Sequence, residues 1–185
     1  MLHVDLVFPV RPRGYDSSRG YISFTDDSTS TTNAGFLKKK SDGLQPLKDH
    51  CAQIKARGKP ILAIRSDCEA ILRSHDAVNW MAEEGIQWWP TVPAHPESNG
   101  LAEVNEYILN LRATAILHDA GLPLFLWPLA LRHAIYLRNR SPIERLGFVK
   151  TYENRNVKES CSAFFGRSLG GIYVRCIGIS LLSET

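Results

Sequence analysis

PILAIRSD, residues 60–67, is a run of branched apolar side chains that closes on an acid. Such a run fits a central strand covered on both faces, and Asp67 then marks where the chain leaves the sheet, the end at which ligands gather. Upstream, Leu44, Leu47, Cys51 and Ile54 recur at helical spacing. They predict a helix capped by Ser41 or Asp42, tolerant of Pro46 near its start, and ended by Gly58 and Pro60. Before it, residues 2–8 and 20–26 are rich in aromatic and branched types and separated by a Pro, Gly and Ser segment, as in a hairpin or meander, and a third strand covers 32–38. Downstream, a helix near 69–84 stops at Gly85, and IQWW (86–89) makes a short strand. Pro90, Pro93, Pro96 and Gly100 then define a loop of the kind that forms a lid. A helix over 100–119 carries Leu101, Val104, Ile108, Leu111 and Ala115 on one stripe, with Glu103 off it, and a helical region over 122–137 restarts at Pro128. Strands first and alternating helices afterwards describe an α/β fold, a mixed sheet with helices on both faces.

Three acids sit at chosen points of this scheme. Asp5 lies inside LHVDLVF (2–8), Asp67 at the end of its strand, and Glu103 in the first turns of the helix opening at NGLAEV (99–104). Thirty-five residues separate Asp67 and Glu103, a spacing suited to two-metal phosphoryl transfer. Mg²⁺ is a hard cation that takes oxygen ligands, so two or three carboxylates together with phosphate oxygens make a usable site. Singly, Asp5 reads equally well as an edge acid facing water, Asp67 as a turn residue, and Glu103 as a helix-dipole partner. Jointly, with the PESNG loop (96–100) between the last two, the metal-site reading prevails. Without metal the three charges would repel and raise one another's pKa. Asp26 and Asp27 are rival carboxylates.

With 185 residues, 44% of them hydrophobic and 22% charged, the chain suffices for one domain with a substantial core. Cys51, Cys68, Cys161 and Cys176 form no CxxC pair and read as reduced thiols; His50 beside Cys51 lacks the further ligands zinc requires. A net charge of +3 argues only mildly for a nucleic-acid partner. Arg11, Arg13 and Arg19, then Lys38 to Lys40, then Arg132, Arg138, Arg140 and Arg145 form basic clusters, each of which alone reads as a solvated face. No apolar stretch is long enough for a membrane span and no segment has a signal-peptide layout, so the expectation is a soluble, intracellular, non-secreted protein.

Several blocks, in order, resemble the integrase catalytic core of copia-type LTR retrotransposons over roughly the first 153 residues. They are HVDLVFP at Asp5, GYISFTDDST (20–29), FLKKKSD (36–42), IRSD (64–67), PESNGLAE (96–103) and LPLFLWPLALRHAIYLRNRSP (122–142), fading after KTYE (150–153). The resemblance implies a ribonuclease-H-like fold with a mixed five-stranded sheet. It makes Asp5, Asp67 and Glu103 the ligands of two Mg²⁺ or Mn²⁺ ions, with Asn99 and Gly100 shaping the loop over the site. Lys38, Lys39, Lys40, Arg65 and Arg112 become candidate DNA contacts, whereas Trp88 and Trp89 read as core and rim rather than base-stacking platforms. The implied reaction is processing of a DNA end and its joining to target DNA, in the nucleus, by a homodimer or higher oligomer. Residues 1–153 would be the catalytic core, without the zinc-binding and targeting modules of such integrases, and 154–185 a tail of uncertain character.

The departures bear on activity. After Asp67 the family's Asn-Gly and nearby Glu give way to Cys68, Glu69, Ala70 and Ile71, and two arginines expected after Glu103 are Val104 and Glu106. Glu106 would stand one turn from Glu103, where like charges destabilise. Losing two phosphate contacts would flatten the salt dependence of DNA binding by about 1.8 units. The expectation is therefore weakened activity. The alternatives are a catalytically silent module that binds nucleic acid or a partner through its basic loops, and a nuclease of RNA–DNA hybrids.

Overall fold

The computed structural model describes residues 1–67, 69–90 and 100–141, with the side chains of 69 and 100–103 left out. Its elements are β1 (Leu2–Val7), β2 (Gly20–Asp26), β3 (Thr32–Leu37), α1 (Leu44–Ala56), β4 (Ala63–Ser66), α2 (Glu69–Leu72), α3 (His75–Glu84), β5 (Gln87–Pro90), α4 (Gly100–Asp119) and α5 (Trp127–Arg140). The five strands form one sheet in the order β3-β2-β1-β4-β5. The first three run as an antiparallel meander, and β4 and β5 continue in parallel from β1, so the sheet is mixed.

Alternation along the strands builds two different faces. Side chains two residues apart share a face, and Leu2 and Val4 therefore join Ile22, Phe24 and Ile64 on the first. Against them pack Leu47 and Cys51 of α1 and Ala77 and Met81 of α3. Burying an aliphatic side chain of this size contributes about 1.5–3 kcal/mol. The second face carries Tyr21, Val7, Ala34 and Phe36 against Leu109, Ala113, Ile116 and Leu117 of α4 and Trp127, Leu131 and Ile135 of α5. Helices thus lie on both faces, as the sequence indicates.

Close approach fixes one glycine. A Cβ on Gly20 would sit 2.4 Å from the carbonyl oxygen of Val7, so the start of β2 can pass the exit of β1 only without a side chain. Gly85 ends α3 at a φ of +67°, a left-handed position that glycine takes without strain.

Four expectations change in detail. The helix near 69–84 is two helices, because Ser74 caps anew: its hydroxyl accepts from the Ala77 N–H at 3.3 Å and starts α3. Asp42 serves a short 3₁₀ turn, Lys40–Gly43, by accepting from the Lys39 N–H at 3.0 Å, and α1 begins after it. On α4, Val104 and Leu111 are each 56% exposed and Ala115 is exposed, whereas Asn105, Leu109, Ala113, Ile116 and Leu117 are buried. This helix is apolar nearly all round, and a stripe read from periodicity alone picks the wrong side of such a helix. Finally, PILAIRSD is not covered alike on its two faces: Ile64 is fully buried in the first core, Arg65 is half-buried, and among the described residues no β4 or β5 side chain belongs to the second core.

Arg138 is also not a surface charge. Buried on α5, it donates to the carbonyl of Ser30 at 2.7 Å and to Oδ1 of Asn105, tying the β2–β3 turn to α4. Its neighbour Asn139 receives the Thr32 N–H at 2.9 Å and donates to the Thr32 carbonyl at 2.7 Å. Both backbone groups belong to β3, the sheet edge, which α5 thereby occupies.

Candidate active site

Asp5 is held in the middle of β1, 7% exposed, with Oδ1 accepting the N–H of Leu6 at 2.9 Å. Across the parallel ladder Leu2, His3 and Val4 face Ile64, Arg65 and Ser66, so the next step of the register sets Asp5 beside Asp67, where β4 ends. Neighbouring strands lie about 4.8 Å apart and side chains in register share a face. The two carboxylates thus start from adjacent positions on one side of the sheet. Asp5 is the buried member and Asp67 the exposed one. Both belong to the second face, and α4 lies against β1 on that face. Glu103 falls in the first turn of α4.

A polar chain lines the same side. The hydroxyl of Tyr21, buried on β2, donates to Oδ1 of Asn110 at 2.8 Å, and the Asn110 amide donates to Oε1 of Glu106 at 3.5 Å. Burial first, and then the negative charges of Glu106 and Asp5, push the Tyr21 hydroxyl far above its ordinary value of 10.0; the hydrogen bond to Asn110 pulls the other way. Tyr21 is therefore a neutral donor that senses two carboxylates, one from the sheet and one from α4. Sequence reasoning missed this pair. The signal was present in the alternation of β2, where Tyr21 and Ser23 share a face and Ser23 stands opposite Asp5.

The remaining candidates scatter. Lys38, Lys39 and Lys40 are exposed at the end of β3. That is the same end of the sheet as Asp67 but three ladder spacings away, about 14 Å. Arg65 lies on β4 within the second face, its guanidinium 5.7 Å from the centroid of the Trp89 ring. Arg112 sits nine residues beyond Glu103, about 13 Å along the helix, and two positions from Asn110, hence on another side of α4. The structure does not bring it to the carboxylates. Gly100 is the first residue of α4; Asn99 lies outside the described residues, as do Arg145 and the stretch containing the 153/154 boundary.

Asp26 and Asp27 have local duties. Burial would raise the Asp26 carboxyl, but hydrogen bonds from Thr29, at 2.7 Å, and Ser28 outweigh it and hold the group below its ordinary value. Asp27 pairs with His3 at 3.6 Å. Among the described residues no group of three or more His, Cys, Asp or Glu side chains could hold a metal ion. Asp5 and Asp67 supply oxygen donors only, the chemistry that a hard divalent cation requires.

Solved structures similar to this fold include integrase catalytic cores. A chain of the simian T-cell lymphotropic virus intasome in complex with PP2A regulatory subunit B56 gamma superposes with a TM-score of 0.65 at 18% identity, over 84% of this chain and 54% of that one. The HTLV-2 integrase catalytic core domain in complex with magnesium gives 0.60 at 16% identity, over 82% and 93%. The BIV integrase catalytic core domain gives 0.58 at 18%, over 83% and 91%. In sequence, the Retrovirus-related Pol polyprotein from transposon TNT 1-94 of Nicotiana tabacum is 27% identical over 170 residues. In sequence and in fold the chain is similar to integrase cores, the sequence likeness being to a retrotransposon polyprotein. Its fold is ribonuclease-H-like. The match covers 90% of the chain but spans only 13% of the tobacco polyprotein. No family model matches the chain.

The departures from the integrase pattern have positions in the fold. Ile71, in place of the family's polar turn, is buried with its Cδ1 against Gly43, where a Cβ would meet it at 2.7 Å. Val104 is solvent-facing, and Glu106 is engaged with Asn110 beside Tyr21. No helix among the described residues is long and apolar enough to cross a membrane.

Proposed function

We propose that this integrase core processes DNA ends and joins them to target DNA, using Asp5, Asp67 and Glu103 as ligands for two Mg²⁺ or Mn²⁺ ions. The observation that carries the reading is the β1–β4 register. It leaves Asp5 and Asp67 on adjacent strands and one face, under the helix that bears Glu103. Bound there, two divalent ions would supply Lewis acidity to both the attacking and the leaving oxygen of an in-line displacement.

The protein's part is positional. Asp5, on a strand paired on both sides, is the rigid ligand, and Asp67 at a strand end adjusts to the substrate phosphate. Neutral Tyr21 donates away from the carboxylates, to Asn110, and adds no charge to the cleft. Glu106 brings a further negative charge to the side of α4 where the DNA backbone would pass, which supports a weakened rather than a vigorous enzyme. Self-association, suggested by the dimeric and trimeric forms of the HTLV-2 core, and action in the nucleus belong to the same proposal.

Incubating the full chain with Mn²⁺ and a duplex bearing retrotransposon-like ends tests it. The reading expects end trimming and strand joining that Asp67→Asn reduces by at least about a hundredfold, in line with loss of a metal ligand. Equal product from wild type and Asp67→Asn would leave a silent, integrase-derived binding module; cleavage confined to RNA–DNA hybrids would make it a different nuclease.

A further inference from the structure

We propose that Trp89 is a stacking platform for an unpaired base of the DNA strand being processed, a proposal that rests on the functional reading above. Arg65 pairs in register with His3 of β1 on one side and with Trp89 of β5 on the other. The three side chains therefore form one row on the face that also carries Asp5 and Asp67. Asp67 is the next residue of β4's path on that face. Trp89 starts about 6.6 Å back along the strand from Asp67 and about 4.8 Å to its side. Within one nucleotide of a phosphate held at the carboxylates, a base reaches the indole.

The two adjacent tryptophans differ. Trp88 points to the first face and packs on its core, whereas Trp89 is 45% exposed and belongs to no core. Exposure here does not mean a loose ring. Nε1 of Trp89 donates to Oε1 of Gln87 at 3.4 Å, and the Arg65 guanidinium lies 5.7 Å from the ring centroid. A cation at that distance is attracted to the aromatic face and holds the ring in place. Its charge also complements the phosphate that any stacked nucleotide brings with it.

The occupant is fixed by these features together. An aromatic ring stacks any nucleobase because every base has a π-face, but a base inside a duplex is already stacked, so the ligand must be unpaired. Strand β5 is the sheet's edge, and α4 and α5 pack over the meander on the far side, so among the described elements Trp89 stands between the sheet edge and the carboxylates. A frayed or overhanging terminus next to the scissile phosphate fits this geometry.

The experiment compares the full chain's affinity, without catalytic metal, for a fully paired DNA end and for the same end carrying unpaired terminal nucleotides, one of them 2-aminopurine. Wild type should quench the 2-aminopurine fluorescence on binding. Alanine substitution of stacking aromatics costs about 1–3 kcal/mol per base, so Trp89→Ala should lower the frayed-to-paired affinity ratio by roughly 5- to 150-fold. Trp89→Leu, which keeps apolar bulk without a π-face, should lower it similarly, and Trp89→Phe should restore most of it. Absence of quenching in wild type, or an unchanged ratio in Trp89→Leu, overturns the proposal. Neither readout needs chemistry: an inactive chain that quenches would sink the enzymatic reading alone, and an active chain that does not quench would sink the platform alone.

Discussion

The two faces of the sheet are built from the same strands and treated in opposite ways. On the first, α1 and α3 close over Leu2, Val4, Ile22, Phe24 and Ile64, and β4 contributes a fully buried side chain. On the second, α4 and α5 cover only the meander. From β1 outward that face turns polar and charged, with Asp5 and His3, then Asp67 and Arg65, and then the open ring of Trp89. Stability is concentrated where the sheet is sealed. Access is kept where it is not, with Asp67 and Trp89 reaching solvent on that face.

The largest break in this contrast should come from the sealed face. Ile64→Ala removes a side chain with no exposure and should cost about 2–5 kcal/mol in urea unfolding. Next, Arg138→Met removes the donors to the Ser30 carbonyl and to Oδ1 of Asn105, and should cost about 1–3 kcal/mol by the same measurement.

Acid should sharpen the comparison. Burial lowers the His3 imidazole from 6.5 even though Asp27 pulls it upward, so the unfolded chain binds the proton more readily than the folded one. Stability is then full above about pH 6.5 and declines as pH falls through that value towards the folded pKa. His3→Phe should make the thermal midpoint less pH-dependent between pH 6.5 and 5, without flattening it, because burial depresses His133 as well. An unchanged slope would show that His3 is not titrating. The smallest effect on stability belongs to the open site: Asp67→Asn should leave the metal-free urea midpoint essentially where it was, since Asp67 is exposed at a strand end.

Much of the architecture was legible because alternation and turn residues act locally. The three strands of the meander, the stop at Gly85, the helix beginning at residue 100 and the restart at Pro128 all follow from side chains within a turn of the boundary. What was not legible depends on contacts distant in sequence. The buried side of α4 was misassigned because Asn105 is buried through Arg138, thirty-three residues later, a bond no periodicity encodes. Arg138 itself read as one more basic residue in a cluster. Tyr21 looked like an ordinary strand aromatic until Asn110, eighty-nine residues on, received its hydroxyl. The carboxylates were candidates by spacing and flanking words, and the β1–β4 register adds what the words lacked, the adjacency of Asp5 and Asp67 in space.

Mn²⁺ binding, followed by the loss of the free-ion electron paramagnetic resonance signal as the full chain is titrated, tests that adjacency most directly. Wild type should bind, and Asp5→Asn and Asp67→Asn should each weaken binding by roughly tenfold or more, about 1.4 kcal/mol, with the double substitution binding no better than either. Binding of equal strength in all four proteins would mean that the two strands do not share a cation between them.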